Sequence, residues 1–184
     1  MKKGERQSPH RRIVELGPET LSECHSDSGE LGTKRATTIT KSIIISAPAE
    51  HCFELIAKQL EETPHWDTTI TRVSPISLKH VRLGFMSRVA FRLNGAKEEA
   101  VAMVRSFRPN SGILWTSNSS SQLQEEWQVQ PEPHGTLVTV TLGYNPSGRL
   151  FGRLADKIVI KGKVEKAVSE MLERLKAAAE NRQN

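Results

Sequence analysis

The chain has 184 residues, enough for one domain, with a net charge of +5 and a pI near 9.4. No run of about 18 apolar residues is present, and no apolar stretch follows the basic start, so we expect neither a transmembrane helix nor a secretory signal. Cys24 and Cys52 have no partner at metal-ligand spacing, so we expect no metal, no cofactor and a reducing, cytoplasmic compartment.

The excess positive charge lies mostly near the two ends of the chain. This distribution favours solvated tails and a solvated helix face over a nucleic-acid surface, so we expect no nucleic-acid partner. A basic helix bearing Lys157, Lys161, Lys163 and Lys166 leaves contact with a membrane surface open.

Residues 1–35 contain few large apolar side chains and many Gly, Ser, Glu, Lys and Arg. Such a composition cannot offset the entropy lost on ordering, so we predict a disordered leader over 1–35 and a folded domain over 36–180.

A strand is predicted from Thr37 to Ser46, where β-branched residues dominate. Pro48 ends the pairing and suits a first helical turn. Apolar residues then recur at helical spacing, and Phe53 and Ile56 are expected to plug one end of the fold. A further short helix or turn is predicted around residues 61–67.

The rest of the chain predicts consecutive strands and then one long helix. The strands are predicted at 68–77, 86–93, 98–107, 113–118, 122–130 and 136–144, joined by short turns that imply an antiparallel sheet. A helical stripe follows through Leu150, Leu154, Ile158, Val164, Val168, Met171 or Leu172, and Leu175. We therefore predict an α+β fold in which a curved antiparallel sheet of six to seven strands wraps around the C-terminal helix and leaves a hollow.

Several local motifs occur in a characteristic order. They are IIISAPAEHCF (43–53), PHW (64–66), RPNSGILW (108–115), EW (126–127), GTLVTVTLGY (135–144) and GRLFGRLAD (148–156). In this order they resemble the helix-grip fold of the START-like (SRPBCC) superfamily, which includes polyketide cyclase/dehydrase families. The resemblance covers about residues 38–178 and implies a ligand cavity, but superfamily members include carriers, receptors, cyclases and aromatases, so it does not name a ligand.

Alternation along the strands assigns side chains to the two faces of the sheet. Glu125 falls on the inward face with Trp127 because the other face of this strand is wholly polar. A carboxylate there could hold a ligand or act as a base with a raised pKa; alternatively it reaches solvent at the rim, or pairs with Arg88 or Arg105. The inward phase of 98–107 stays open.

Large aromatic and apolar side chains complete the expected wall of the cavity. The predicted ligand-binding residues are Trp66, Val89, Phe91, Trp115, Glu125, Trp127, Tyr144, Leu154 and Ile158. We expect the hydroxyl of Tyr144 to reach the mouth of the cavity. His65 and Asp67 flank Trp66 but point apart, Cys52 is read as a core residue, and no catalytic residue is assigned.

We favour a noncatalytic carrier or sensor of a hydrophobic small molecule, either a lipid or an aromatic, polyketide-like compound. One alternative is a cyclase- or dehydrase-like enzyme in which Glu125, His65 or Tyr144 transfers protons in the same cavity. The other is a membrane-surface or protein-interaction module that uses the basic helix. The sequence does not give the oligomeric state.

Overall fold

The computed structural model describes residues 37–77, 79–93, 96–146 and 157–181. The predicted leader, the Asn94-Gly95 turn and Leu154 lie outside the described residues. The strands are β1 (Thr37–Ile45), β2 (Ile70–Pro75), β3 (Met86–Leu93), β4 (Ala96–Arg108), β5 (Gly112–Ser117), β6 (Gln124–Glu132) and β7 (Gly135–Tyr144). The helices are α1 (Ala49–Phe53), a π-helical turn (Glu54–Lys58), a 3-10 turn (Leu60–Glu62), α2 (Thr63–Trp66) and α3 (Lys157–Asn181).

The seven described strands form one antiparallel sheet in the order β1-β7-β6-β5-β4-β3-β2. Strands β2 to β7 are consecutive neighbours, as their short connections predicted, and β1 joins the free edge of β7. With the long C-terminal helix, this arrangement confirms the predicted helix-grip fold of the α+β class.

The chain leaves β1 through a short segment that is fixed on both sides. The hydroxyl of Thr136 donates to the carbonyl of Ala47 at 2.6 Å, and the backbone N–H of Ser46 donates to Glu180 Oε1 at 2.8 Å. Helix α1 begins directly after Pro48, whose carbonyl accepts from the N–H of Cys52 at 3.1 Å. The exit from β1 is therefore bound both to β7 and to the last turns of α3.

The interior lies between the sheet and the helices. Phe53 is fully buried and packs on Phe107, with ring centroids 5.7 Å apart. Strand β4 turns Ala100, Ala102 and Val104 inward, which settles the open phase of residues 98–107 in favour of Val104.

Helix α3 buries one stripe that differs from the predicted one at its beginning. The buried positions on α3 are Ile160, Val164, Val168, Met171, Leu172, Leu175 and Ala179. Ile158 is 81% exposed, so its placement on this stripe is wrong. The stripe extends back from Val164 by four residues to Ile160, and Ile158 lies two residues further, about 200° around the helix.

Candidate functional site

Two neighbouring cavities of about 70 Å³ each lie on the inward face of the sheet. The first cavity lies between the sheet and the segment that follows β1; it is lined by Ile56, Leu60, Thr63, Trp66, Ile70, Val73, Ser87, Val89, Phe91, Ala102, Trp115, Thr116, Ser117, Leu123, Glu125 and Trp127. The second cavity lies beneath α3; it is lined by Asp67, Thr69, Ile70, Phe91, Leu123, Glu125, Val140, Leu142, Val164, Ala167, Val168 and Met171.

Four residues belong to both cavities and are called the shared wall: Ile70, Phe91, Leu123 and Glu125. Three of them are apolar side chains that can change rotamer, and the fourth carries a carboxyl group. Joined, the two cavities would approach the ~150 Å³ of an engineered apolar cavity that binds benzene. The two cavities therefore adjoin each other along this wall.

Glu125 places its carboxyl group at the centre of this site. In the sheet it pairs with Trp115 of β5 and Leu142 of β7, both of which also line a cavity. The indole N–H of Trp127, two residues further along β6, donates a hydrogen bond to Glu125 Oε1. Glu125 is the second residue of β6 and is half-buried, as expected if its side chain reached solvent at the rim of the cavity. Its carboxyl end, however, is enclosed by protein.

The alternative in which Glu125 pairs with Arg88 or Arg105 is wrong. Arg88 Nε lies 3.2 Å from Glu99 Oε1, and Arg105 Nε donates to the hydroxyl of Thr116 at 3.1 Å. Both arginines are exposed on the outer side of the sheet, because the bulge of β4 and the alternation of β3 direct them there. The carboxyl group of Glu125 is therefore without a cationic partner among the described residues.

Burial raises the pKa of Glu125 from its ordinary value of 4.5 to about 7. The negative charge of Asp67 raises this pKa further, and the hydrogen bond from Trp127 opposes the shift. Near neutral pH the carboxyl group therefore exists in both its protonated and its ionised form, which allows it either to donate or to accept a hydrogen bond.

Asp67 is the second carboxyl group of the site and was not among the predicted residues. It is 3% exposed and its Oδ1 accepts from Thr69 N at 2.8 Å and Thr69 Oγ1 at 2.7 Å, an Asx-turn at the end of α2. Burial raises the pKa of Asp67, and the two bonds from Thr69 oppose that shift. His65 is exposed and lies 3.2 Å from Glu62, so the prediction that His65 and Asp67 point apart is confirmed.

Two further polar atoms of the first cavity's wall are buried and have no hydrogen-bond partner among the residues that the structure describes. They are Trp66 Nε1 and Thr63 Oγ1, on residues that are 3% and 6% exposed. Trp66 packs edge-on against Trp127 with ring centroids 5.9 Å apart. Because buried polar groups are normally satisfied, these two atoms mark unused hydrogen-bonding capacity beside the cavity.

The structure brings most of the predicted site residues together. Those that line the first cavity, the second or both are Trp66, Val89, Phe91, Trp115, Glu125 and Trp127. Tyr144 lines neither cavity, and its hydroxyl is buried rather than at a mouth, because the ring lies inside the core at the end of β7. Ile158 points to solvent, and Leu154 lies outside the described residues.

The other residues that sequence reasoning missed are mostly ordinary apolar positions, such as Ile70, Ala102 and Met171. An alanine on the inward face of a strand does not by itself indicate a binding site. The small side chain of Ala102 nevertheless leaves room for the first cavity, which it lines. The signal that could have identified Asp67 is the Asp-x-Thr sequence directly after a helix, which is typical of an Asx-turn.

A wider groove of about 690 Å³ opens elsewhere on the surface and is lined partly by Lys58, Glu61, Phe85 and Phe107. It contains none of the predicted site residues. Within the described ranges, no group of three or more His, Cys, Asp or Glu residues is arranged to hold a metal ion. None of the described helices is long and apolar enough to cross a bilayer.

The helix-grip fold and the two mostly apolar cavities on its inner face agree with the predicted resemblance to the START-like (SRPBCC) superfamily. The family described as "Polyketide cyclase / dehydrase and lipid transport" matches residues 36–180, and the chain belongs to this family. A search among curated proteins found no match.

Solved structures show the same fold. An aromatase/cyclase from Streptomyces sp. R1128 superposes with a TM-score of 0.67 at 14% identity, over 82% of this chain and 97% of that chain. A START superfamily protein from Mycobacterium smegmatis gives 0.58 at 20% identity, over 79% and 95%. The major latex-like protein 151 of Panax ginseng gives 0.61 at 10% identity, over 78% and 97%. At these identities the likeness concerns the fold alone.

Proposed function

We propose that this protein binds and carries a small apolar molecule with one polar end, held in the space around the shared wall. The observation that carries the proposal is the carboxyl group of Glu125, enclosed at the boundary of two otherwise mostly apolar cavities. Ligand sites are typically apolar with a few convergent polar groups that fix orientation. The family, whose description includes lipid transport, supports the same class of function.

The size of the cavities restricts the ligand. Each cavity alone is about 70 Å³, less than half of the ~150 Å³ that accommodates benzene in an engineered protein. A single-ring or short-chain compound therefore fits once Phe91 or Leu123 moves, and a larger molecule requires α3 to separate from the sheet.

Native mass spectrometry of the full chain purified from cells tests this function. Ala167→Phe fills the second cavity from α3, whereas Ala177→Phe places the same ring on the exposed side of the same helix and serves as the control. We expect the wild type and Ala177→Phe to carry an additional small mass that Ala167→Phe lacks. A wild-type protein that carries no such mass and binds no neutral single-ring compound would overturn the proposal.

A second candidate function is proton-transfer catalysis in the same cavity, on a polyketide-like substrate. The specific observation in its favour is the pKa of Glu125, about 7, because a general acid or base is most effective when its pKa lies near the working pH. Glu125→Gln keeps the shape and removes the titration, so turnover of a poly-β-ketone analogue should fall ~100-fold or more. Unchanged turnover in a folded Glu125→Gln protein excludes this role.

The membrane-surface alternative has less support from the charges on α3. Lys161 lies 3.7 Å from Glu165 and Lys166 lies 3.8 Å from Glu170, so the helix presents alternating charges rather than an uninterrupted basic face. Exposed pairs of this kind contribute little stability, but they reduce the net attraction to anionic lipids.

A further inference from the structure

The charged residues of the two cavity walls all have the same sign. Glu125 lines both cavities and Asp67 lines the second, and no Lys, Arg or His of the described residues lines either one. A cavity with two carboxyl groups and no cation is unsuited to a carboxylate or phosphate ligand, because each negative charge would be buried next to another.

The basic groups of the surrounding elements are held outside the cavities and do not neutralise this charge. On β2 and β3, Arg72 and Arg88 lie 3.6 and 3.2 Å from Glu99. The other titratable groups on the elements packed around Glu125 are Arg92 on β3, Lys97, Glu98, Arg105 and Arg108 on β4, Glu126 and Glu132 on β6, Tyr144 on β7, His65 on α2, and the described Lys, Glu and Arg side chains of α3, none of which lines either cavity. Asp67 is therefore the titratable group that faces Glu125 within the site.

The remaining walls favour a cation. Three tryptophan rings, those of Trp66, Trp115 and Trp127, line the first cavity, and aromatic faces attract ammonium groups. The buried hydroxyl oxygen of Thr63, which has no partner within the described ranges, adds an acceptor that an N–H donor of a ligand can use.

We propose that the cavity selects its ligand by charge: it accepts an apolar molecule whose polar end is a protonated amine and excludes the same skeleton ending in a carboxylate. This inference rests on the proposed function and narrows it to a ligand class. The ammonium group lies against Glu125 at the shared wall, within reach of Asp67 or Thr63, and the apolar part occupies the cavity on either side.

Three compounds with the same ring and nearly the same length test the inference: phenethylamine, phenethyl alcohol and phenylacetate. Each is titrated into the ¹⁵N-labelled full chain, and binding is followed at the indole N–H signals of its three tryptophans. We expect the amine to bind roughly 100-fold more tightly than phenylacetate, less than the ~1,000-fold of one opposite-charge contact at an effective dielectric constant of ~20, because desolvation of the ammonium group offsets part of the attraction. The neutral alcohol should lie between the two.

Glu125→Gln should weaken binding of the amine roughly tenfold and change binding of the alcohol less than about threefold. Glu126→Gln, on the outer face of the same strand where Glu126 lies 3.8 Å from Arg108, is the matched control and should bind all three compounds as the wild type does. If Glu125→Gln does not fold, the wild type suffices: affinity for the amine should rise about tenfold between about pH 6 and pH 8, and affinity for the alcohol should not.

The outcomes separate the two proposals. Phenylacetate binding as tightly as the amine, or amine binding that depends neither on Glu125 nor on pH, overturns the charge selection and leaves carriage of an apolar ligand standing if the alcohol binds. Failure of all three compounds, the neutral alcohol included, overturns the charge selection, and together with the absence of a co-purifying mass it overturns carriage of an apolar ligand as well.

Discussion

Replacing Glu125 by Gln should change how the stability of the protein depends on pH. The variant keeps the size of the side chain and an oxygen that accepts from Trp127, but it cannot ionise. Because the folded state raises the pKa of Glu125 from 4.5 to about 7, the folded protein holds a proton that the unfolded chain releases in this interval. Stability of the wild type therefore falls as pH rises from about 5 to about 8.

The magnitude follows from the shift in the pKa of Glu125. Each pKa unit corresponds to ~1.36 kcal/mol, so the wild type should lose about 2.5 kcal/mol relative to Glu125→Gln between about pH 5 and pH 8. This figure is an upper limit, because the side chain is half-buried rather than fully enclosed. Asp67, whose pKa is also raised, contributes in the same direction in both proteins.

Urea denaturation followed by tryptophan fluorescence at several pH values measures this difference. With a typical slope of ~2 kcal/mol per M, the unfolding midpoints of the wild type and Glu125→Gln should diverge by about 1 M over this pH range. Glu126→Gln, which alters the outer face of the same strand, should follow the wild type. A Glu125→Gln protein whose stability falls with pH as steeply as that of the wild type would refute the enclosure of this carboxyl group.

Two matched pairs of substitutions test the packing that forms the cavity walls. On α3, Val164→Ala removes two methyl groups from a buried side chain and should lower the free energy of unfolding, measured by chemical denaturation, by about 2 kcal/mol. Val159→Ala, at a 51% exposed position, should lower it by less than about 0.5 kcal/mol. Equal losses for the two variants would contradict the orientation of α3. At Gly135, where φ is +146°, an added Cβ would lie 2.3 Å from the carbonyl oxygen of Ile45, so Gly135→Ala should destabilise the β1–β7 pairing by several kcal/mol. Gly162→Ala meets nothing within 4 Å on the helix and should stabilise by about 1 kcal/mol, and a reversed order of these two alanine variants would contradict the turn geometry.

The sequence predicts the fold well because local patterns agree with the tertiary arrangement. On β6 one face is wholly polar, so the inward position of Trp127 follows directly, and the structure buries it. On β4 both faces carry apolar residues, so alternation leaves the phase open. The structure buries the small side chains of Ala100 and Ala102, whereas Met103 remains partly exposed.

The site is predicted less completely because its walls are formed by residues that are distant in the sequence and meet only in the folded protein. Asp67 lies outside any periodic element, and only the Asx-turn with Thr69 directs it inward. The hollow consists of two small cavities that share Phe91 and Leu123, and periodicity does not give the side-chain positions that shape them. Ile158 was misplaced because an apolar residue at the start of a helix was assigned to the stripe although it is out of phase with Val164.

The position of a bound ligand tests the central claim most directly. Intermolecular nuclear Overhauser effects between neutral phenethyl alcohol and the full chain should connect the ring of the ligand to the indole of Trp127 and to side chains of the shared wall, such as Leu123 and Phe91. The same contacts should disappear in Ala167→Phe. Contacts confined to the outer groove beside Phe107, with none to the shared wall, would contradict the account.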